Sequence, residues 1–286
     1  IPGALVQIAA ATGLGALAFI RGDLVTADIC YTNALYLRRD LGDRRGETVL
    51  LNNLALLEMS RGDYARARQL SEESIRNVLS LGDEATAAAW WNGQGAICEA
   101  LGDFAAARDA FERCYALGKR LGIPRARALA LINLGKLTLN ENDAAEAMRL
   151  CAEALEIVQP IGDQRIIAPA LLELGRSQLA LSDISSALHN SYQSLVLYHQ
   201  AEEKPGIAAS LEALAETALA VEEAALSRLF LETATLLRNE TGARHTPQEA
   251  DRMAKLERHI SGIPTETVPS LDAAMAAAER FAARVP

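Results

Sequence analysis

One interval, forty residues, governs this chain. The segments RGDLVTA at Arg21, RGDYARA at Arg61, LGDFAAA at Leu101, ENDAAEA at Glu141 and LSDISSA at Leu181 start 40 residues apart. Gly42, Gly82, Gly122, Gly162 and Gly242 keep the same step, with a gap at Glu202. Three rows of small residues share the register: Gly15 to Ala215, Ala27 to Ser227, and Ala34 to Ala234. A period of this length marks a supersecondary unit that cannot bury its apolar face alone, so neighbouring units must stack.

Each unit reads as two helices. In the second unit, helix A spans about Glu47 to Ser60 and helix B about Tyr64 to Leu81, joined by Gly62-Asp63. Glycine after a helix supplies the left-handed residue that closes it, and the following aspartate accepts from the free amides of the next helix. Gly22-Asp23 and Gly102-Asp103 repeat the device, and Leu41-Gly42-Asp43 and Leu81-Gly82-Asp83 end helix B in the same way. Asn142-Asp143 preserves the device because Asn tolerates the left-handed region, whereas Ser182-Asp183 is expected to preserve only the cap. Small residues let partner helices approach, and Leu14, Leu54, Leu134, Leu174 and Leu214 fill the space between them. The expectation is an all-α, right-handed α-solenoid of six helix pairs over residues 1–243. A helical cap or tail over 244–286 completes it, the whole being one cooperative superhelix.

The segment LNNLALLEMSRGDYARA, Leu51 to Ala67, resembles a tetratricopeptide repeat in its Leu-Gly/Ala, aromatic and Ala positions. The familiar unit has 34 residues. The 40-residue form with an LGD junction is similar to repeats of large bacterial regulators of the MalT-like/LuxR type and their signalling-ATPase relatives. Related repeats occur in kinesin light chains and polarity adaptors. The likeness covers about Ala4 to Ala243. It implies a non-catalytic interaction or sensor module in a cytoplasmic bacterial regulator.

Both ends depart from the pattern. Val221-Glu222-Glu223 replaces the Gly-Asp junction in the sixth unit, as befits a terminal repeat. Thr246-Pro247 starts a further helix to about Ile260, Ser261 to Pro269 reads as a linker, and Ser270 caps a last helix to about Arg284. At the other end, Ala4 to Ile20 is almost wholly apolar. That length approaches a bilayer span, but the repeat register accounts for it as helix A of the first unit. Its greasy outer face (Leu5, Ile8, Leu14, Leu17, Phe19, Ile20) leads us to expect preceding sequence, such as a covalently linked upstream domain, to cover it.

No catalytic constellation emerges. His189, His199, His245 and His259 form no HExxH or other close zinc spacing, so neither a metal nor a cofactor is expected. Cys30, Cys98, Cys114 and Cys151 fall within helical patterns without a CxxC pair and read as small buried hydrophobes. There is no P-loop and no GxSxG elbow. With 28 basic against 37 acidic residues and a net charge of −9, the chain is a poor partner for nucleic acid.

A binding surface remains. In tetratricopeptide arrays helix A lines the concave face. Carried onto this sequence, the resemblance implies rows Asn52, Asn92, Ile132, Leu172, Glu212; Leu56, Ala96, Lys136, Arg176, Glu216; and Met59, Glu99, Leu139, Leu179, Leu219. Asn53 and Asn133 adjoin them. Lys136 and Arg176, in one row, are expected to face one groove about 10 Å apart and to suit a carboxylate. The alternative is that they pair with Glu173 or Glu212. The asparagines offer amides that donate and accept along a peptide backbone. Trp91 falls on the repeat's packing tryptophan, and Trp90, one step around the helix, is a candidate anchor. The expected ligand is a peptide or partner protein segment, with a small-molecule effector or pure scaffolding as alternatives.

Overall fold

A computed structural model describes residues 2–264 and 268–284; Ile1 and residues 265–267 of the expected linker lie outside it. The described residues form helices with no strand among them. Contacts group the chain into two compact units, Ile1–Ala126 and Arg127–Pro286, each considered by itself.

The first unit contains α1 (Pro2–Ile20), α2 (Leu24–Asp40), α3 (Arg44–Arg61), α4 (Tyr64–Ser80), α5 (Glu84–Ala100) and α6 (Phe104–Leu121). The second contains α7 (Pro124–Asn140, whose first turn precedes the boundary), α8 (Ala144–Val158) with a 3-10 turn at Gln159–Ile161, α9 (Gln164–Ala180) and α10 (Ile184–Gln200). It continues with α11 (Lys204–Ala220), α12 (Ala224–Thr241), α13 (Pro247–Ile260) and α14 (Leu271–Arg284).

The junctions follow from the Gly-Asp chemistry. Asp23, Asp43, Asp63, Asp83, Asp103, Asp143, Asp163 and Asp183 each accept a backbone N–H of the helix they start. The left-handed residue before the cap persists even where glycine is lost. Ser182, Glu202 and Glu222 have φ of 64°, 54° and 62°. Ser182 thus keeps the turn as well as the cap, and neither Glu202 nor Glu222 interrupts the backbone geometry. What lapses at the last two junctions is the side-chain cap, since Glu203 and Glu223 make no such bond.

The small-residue rows are the A–B contact. A Cβ added at Gly15 would lie 2.7 Å from the Tyr31 ring, one at Gly135 2.6 Å from Cys151 Sγ, and one at Gly175 2.7 Å from Ser191 Oγ. Gly95 meets the Phe111 ring in the same way. Each partner stands sixteen residues downstream, so one spacing sets the approach of every such pair. Ala27, Ala67, Ala107, Ala147, Ala187 and Ser227 are completely buried, as are Ala34, Ser74, Cys114, Ala154, Ser194 and Ala234. Helix B thereby presents two small residues where the rows cross, and Leu54, Leu134, Leu174 and Leu214 close the remaining volume; Leu14, expected to do the same, is instead exposed because no preceding helix packs on its face among the described residues.

In α1, Ile8 and Ala18 are buried, whereas Leu5, Val6, Leu14, Leu17 and Ile20 are exposed. The helix is long and apolar enough to cross a membrane by length and composition. Within the fold it is the A helix of the first pair and packs on α2 through the Gly15–Tyr31 contact.

The tail belongs to the second unit's core. Met253, Leu256 and Ile260 of α13 and Ala274, Ala277, Ala278 and Phe281 of α14 join one apolar cluster with Leu214, Phe230 and Leu237. Phe230 and Phe281 stack at a tilt, their centroids 6.5 Å apart. Thr246 caps α13 through a capping box with Glu249, and Pro247 occupies its first turn, as the sequence predicts.

Candidate functional site

The A helices of the second unit carry the rows Lys136, Arg176, Glu216 and Ile132, Leu172, Glu212, and α13 is seated against these helices. Lys136 Nζ lies 2.9 Å from Glu249 Oε1, and Arg252 Nε 2.9 Å from Glu216 Oε1. Asn140 Nδ2 donates to Gln248 Oε1 at 2.5 Å. Just before α13, His245 Nε2 meets Glu212 Oε1 at 2.9 Å, and Arg238 Nη2 of α12 donates to Glu212 Oε2 at 2.9 Å. In this unit, the face expected to take a ligand is occupied by the chain's own α13.

The site residues proposed from sequence divide by unit. In the second, Arg176 is buried and donates to Glu173 Oε1 at 2.7 Å and to the Ala209 carbonyl at 3.3 Å. Its pairing is therefore the Glu173 alternative. Lys136, half-buried, engages the tail. Asn133 is half-buried on the same helix. In the first unit, Asn52 and Asn53 of α3 and Trp90 and Asn92 of α5 are half-buried, and Glu99 is buried. Trp91 is half-buried beneath the Arg113 guanidinium, 4.8 Å from its ring centroid, rather than sealed in the core.

Electrostatics bind the second unit's site into one network. Burial opposes charge on Glu249, yet Lys136 and Arg176 hold its carboxyl well below the usual range. Burial likewise opposes charge on Glu212, but His245, Arg238 and Arg176 bring it down to about 2. Glu216 goes the other way: burial raises it, and the attraction of Arg252 and Arg176 only partly offsets this. Arg176 stays charged despite its burial because Glu173, Glu216, Glu249 and Glu212 surround it. Sequence reasoning named Glu173 and Glu212 as possible partners but missed Gln248, Glu249, Arg252, Arg238 and His245. The available signal was complementarity: α13 brings an acid to the basic position Lys136 and a base to the acidic position Glu216.

Cys98, Cys114 and Cys151 are buried and Cys30 is half-buried, all without disulfides; burial pushes the Cys114 thiol up to about 12. Among the described residues no group of His, Cys, Asp and Glu could hold a metal ion. A cavity of about 690 Å³ opens between α12 and the end of α13, with Leu231, Leu236, Ile260 and Val268 in its wall.

Comparison with known proteins agrees with this architecture. No curated protein matches the chain. BtubC (BKLC) from P. vanneervenii is 22% identical with a TM-score of 0.58, over 68% of this chain and 80% of that one. The apo form of RapI is 12% identical with a TM-score of 0.64, over 89% and 98%. A Signal Transduction ATPase with Numerous Domains (STAND) protein with a tetratricopeptide repeat sensor, PH0952 from Pyrococcus horikoshii, is 17% identical with a TM-score of 0.59. That alignment covers 93% of this chain but 39% of the ATPase. At these identities the likeness is one of fold. Residues 47–120 match the family model of the tetratricopeptide repeat, within a chain whose described residues are all-α.

Proposed function

We propose that the chain is a non-catalytic protein-interaction module whose A-helix rows take a peptide or partner segment, and that it serves a bacterial cytoplasmic regulator as its sensor. One observation carries the reading. The A-helix face of α7, α9 and α11 holds a polypeptide segment, α13 with the residues just before it, through side chains at the row positions themselves: Lys136, Glu216 and Glu212. A surface that holds one segment by paired charges and amides has the chemistry to hold another. The corresponding rows of the first unit, with Asn52, Asn53, Asn92, Glu99 and Trp90, are the face we assign to an external peptide. The likeness to a STAND protein with a tetratricopeptide repeat sensor supports the sensor role. It is also consistent with the MalT-like resemblance of the 40-residue repeat.

Panning a displayed random-peptide library on the full chain, then measuring the enriched peptides against N52A/N92A, tests this. Loss of most of the affinity is expected, since each buried backbone contact to an amide contributes about 0.5–1.5 kcal/mol. Equal binding to both proteins would refute the assignment. The apolar cavity beside α12 favours a second reading, in which a small effector binds there.

A further inference from the structure

The leucine row is broken once. Leu54, Leu134, Leu174 and Leu214 are buried at 40-residue steps, with Leu14 on the same step, but the third unit has glutamine at that position: Gln94, only 4% exposed. Its Nε2 is 3.7 Å from Cys98 Sγ, and its Oε1 is buried without a hydrogen-bond partner. A buried amide left unpaired costs stability that leucine would not, so its presence calls for a compensating partner.

Gln94 lines a cavity of about 380 Å³ between α4 and α6, with α5 as its floor. That volume lies in the range of about 300–1,000 Å³ usual for small-ligand sites. Ile75 and Trp91 give the wall an apolar surface, and Arg68, Arg76 and Arg113 carry its positive charge. Arg68 is bonded to Glu72 and Asp103 and Arg113 to Asp109, whereas Arg76 has no ion pair among the described residues. The cavity lies between two B helices, away from the rows that bear Asn52 and Asn92, and is independent of the function proposed above.

We infer that this cavity binds an N-acyl amino acid unit with a free carboxylate: the Gln94 amide turns from Cys98 into the cavity so that Oε1 accepts the ligand's amide N–H, the carboxylate pairs with Arg76, and an apolar side chain lies against Trp91 and Ile75. A peptide C-terminus and a free N-acyl amino acid share this chemistry. The cavity supplies a buried amide oxygen that gains a partner by turning toward the ligand, an exposed guanidinium without a carboxylate at the rim, and an aromatic wall stiffened by the Arg113 contact.

The chain has two tryptophans, so W90F leaves Trp91 as the reporter. In that background N-acetyl-leucine, acetyl-Ala-Ala-Leu and N-acetyl-leucinamide are titrated by fluorescence. The two carboxylates are expected to give saturable changes and the amide a response about tenfold weaker. Q94L and R76A each weaken the carboxylates by about tenfold, or about 1.4 kcal/mol. Q94L should also melt at a higher temperature, because it restores the leucine row. A tighter tripeptide identifies a peptide terminus as the source, and equal affinities identify the free acyl amino acid. The inference fails if neither carboxylate saturates, if Q94L binds as the parent does, or if Q94L lowers the melting temperature.

Discussion

The seating of α13 turns the Lys136–Glu249 pair into a measurable quantity. The two groups are 2.9 Å apart, with side chains 18% and 14% exposed, so they are neither free in water nor fully dry. Exposed pairs contribute about 0.2–1 kcal/mol, and breaking a fully buried one costs about 3–5 kcal/mol. An intermediate environment puts K136M at about 1–3 kcal/mol of destabilisation. Glu249 also accepts from the Thr246 amide in the capping box, so its partner substitution should keep that bond. E249Q does so, since glutamine serves at this position as well. A cycle of K136M, E249Q and the double variant, read by urea unfolding with far-UV circular dichroism, should give a coupling energy of about 1–2 kcal/mol. Additivity within about 0.3–0.5 kcal/mol would show that the contact carries no energy. The outcome separates two pictures. In an open groove, substitution at Lys136 changes partner capture and leaves unfolding untouched; with the tail seated, unfolding must change.

Two further outcomes follow from the same geometry. Glu212, ordinarily titrating at 4.5 and held down to about 2, contributes stability fully present above pH 4.5 and lost as pH falls toward 2. That is about 3 kcal/mol at the upper end, and E212Q should flatten acid unfolding in this window while being less stable at neutral pH. Glu216, with its raised value, gains stability as pH falls through its own titration, but Glu212 and Glu249 are both held down and lose it, so a net stability gain on acidification to pH 3 would contradict the network. At the junctions, S182G, E202G and E222G relieve residues with φ between 54° and 64°. Each should stabilise by about 0.5–1 kcal/mol in urea midpoints, and a destabilised triple variant would mean those turns adopt another backbone.

The helix pairs were legible because local chemistry and packing recur at one step. Gly62-Asp63 states both where α3 ends and how α4 begins, and Gly95 with Phe111 states how closely two helices approach. The left-handed turns at Ser182, Glu202 and Glu222 were not legible, because their residue types argue against a conformation that neighbouring packing enforces. The candidate face was half legible. The row positions of Lys136 and Arg176 can be counted, but what covers them depends on a segment more than 70 residues downstream in sequence, outside the repeat register. Periodicity carries no information about a non-repeating element. Only the charge match of Glu249 and Arg252 to Lys136 and Glu216 could have brought it in. Gln94 shows the reverse: a break in a row is visible in sequence, yet its burial and unpaired oxygen needed coordinates.

Hydrogen exchange of the full chain over residues 250–260 tests most directly whether the A-helix face holds a polypeptide segment. With Met253, Leu256 and Ile260 in the core and Glu249 and Arg252 paired, these amides should exchange as slowly as those of α11. Exchange at the rate of an isolated, fraying helix would show that α13 is not seated there, and the reading of that face would fall with it.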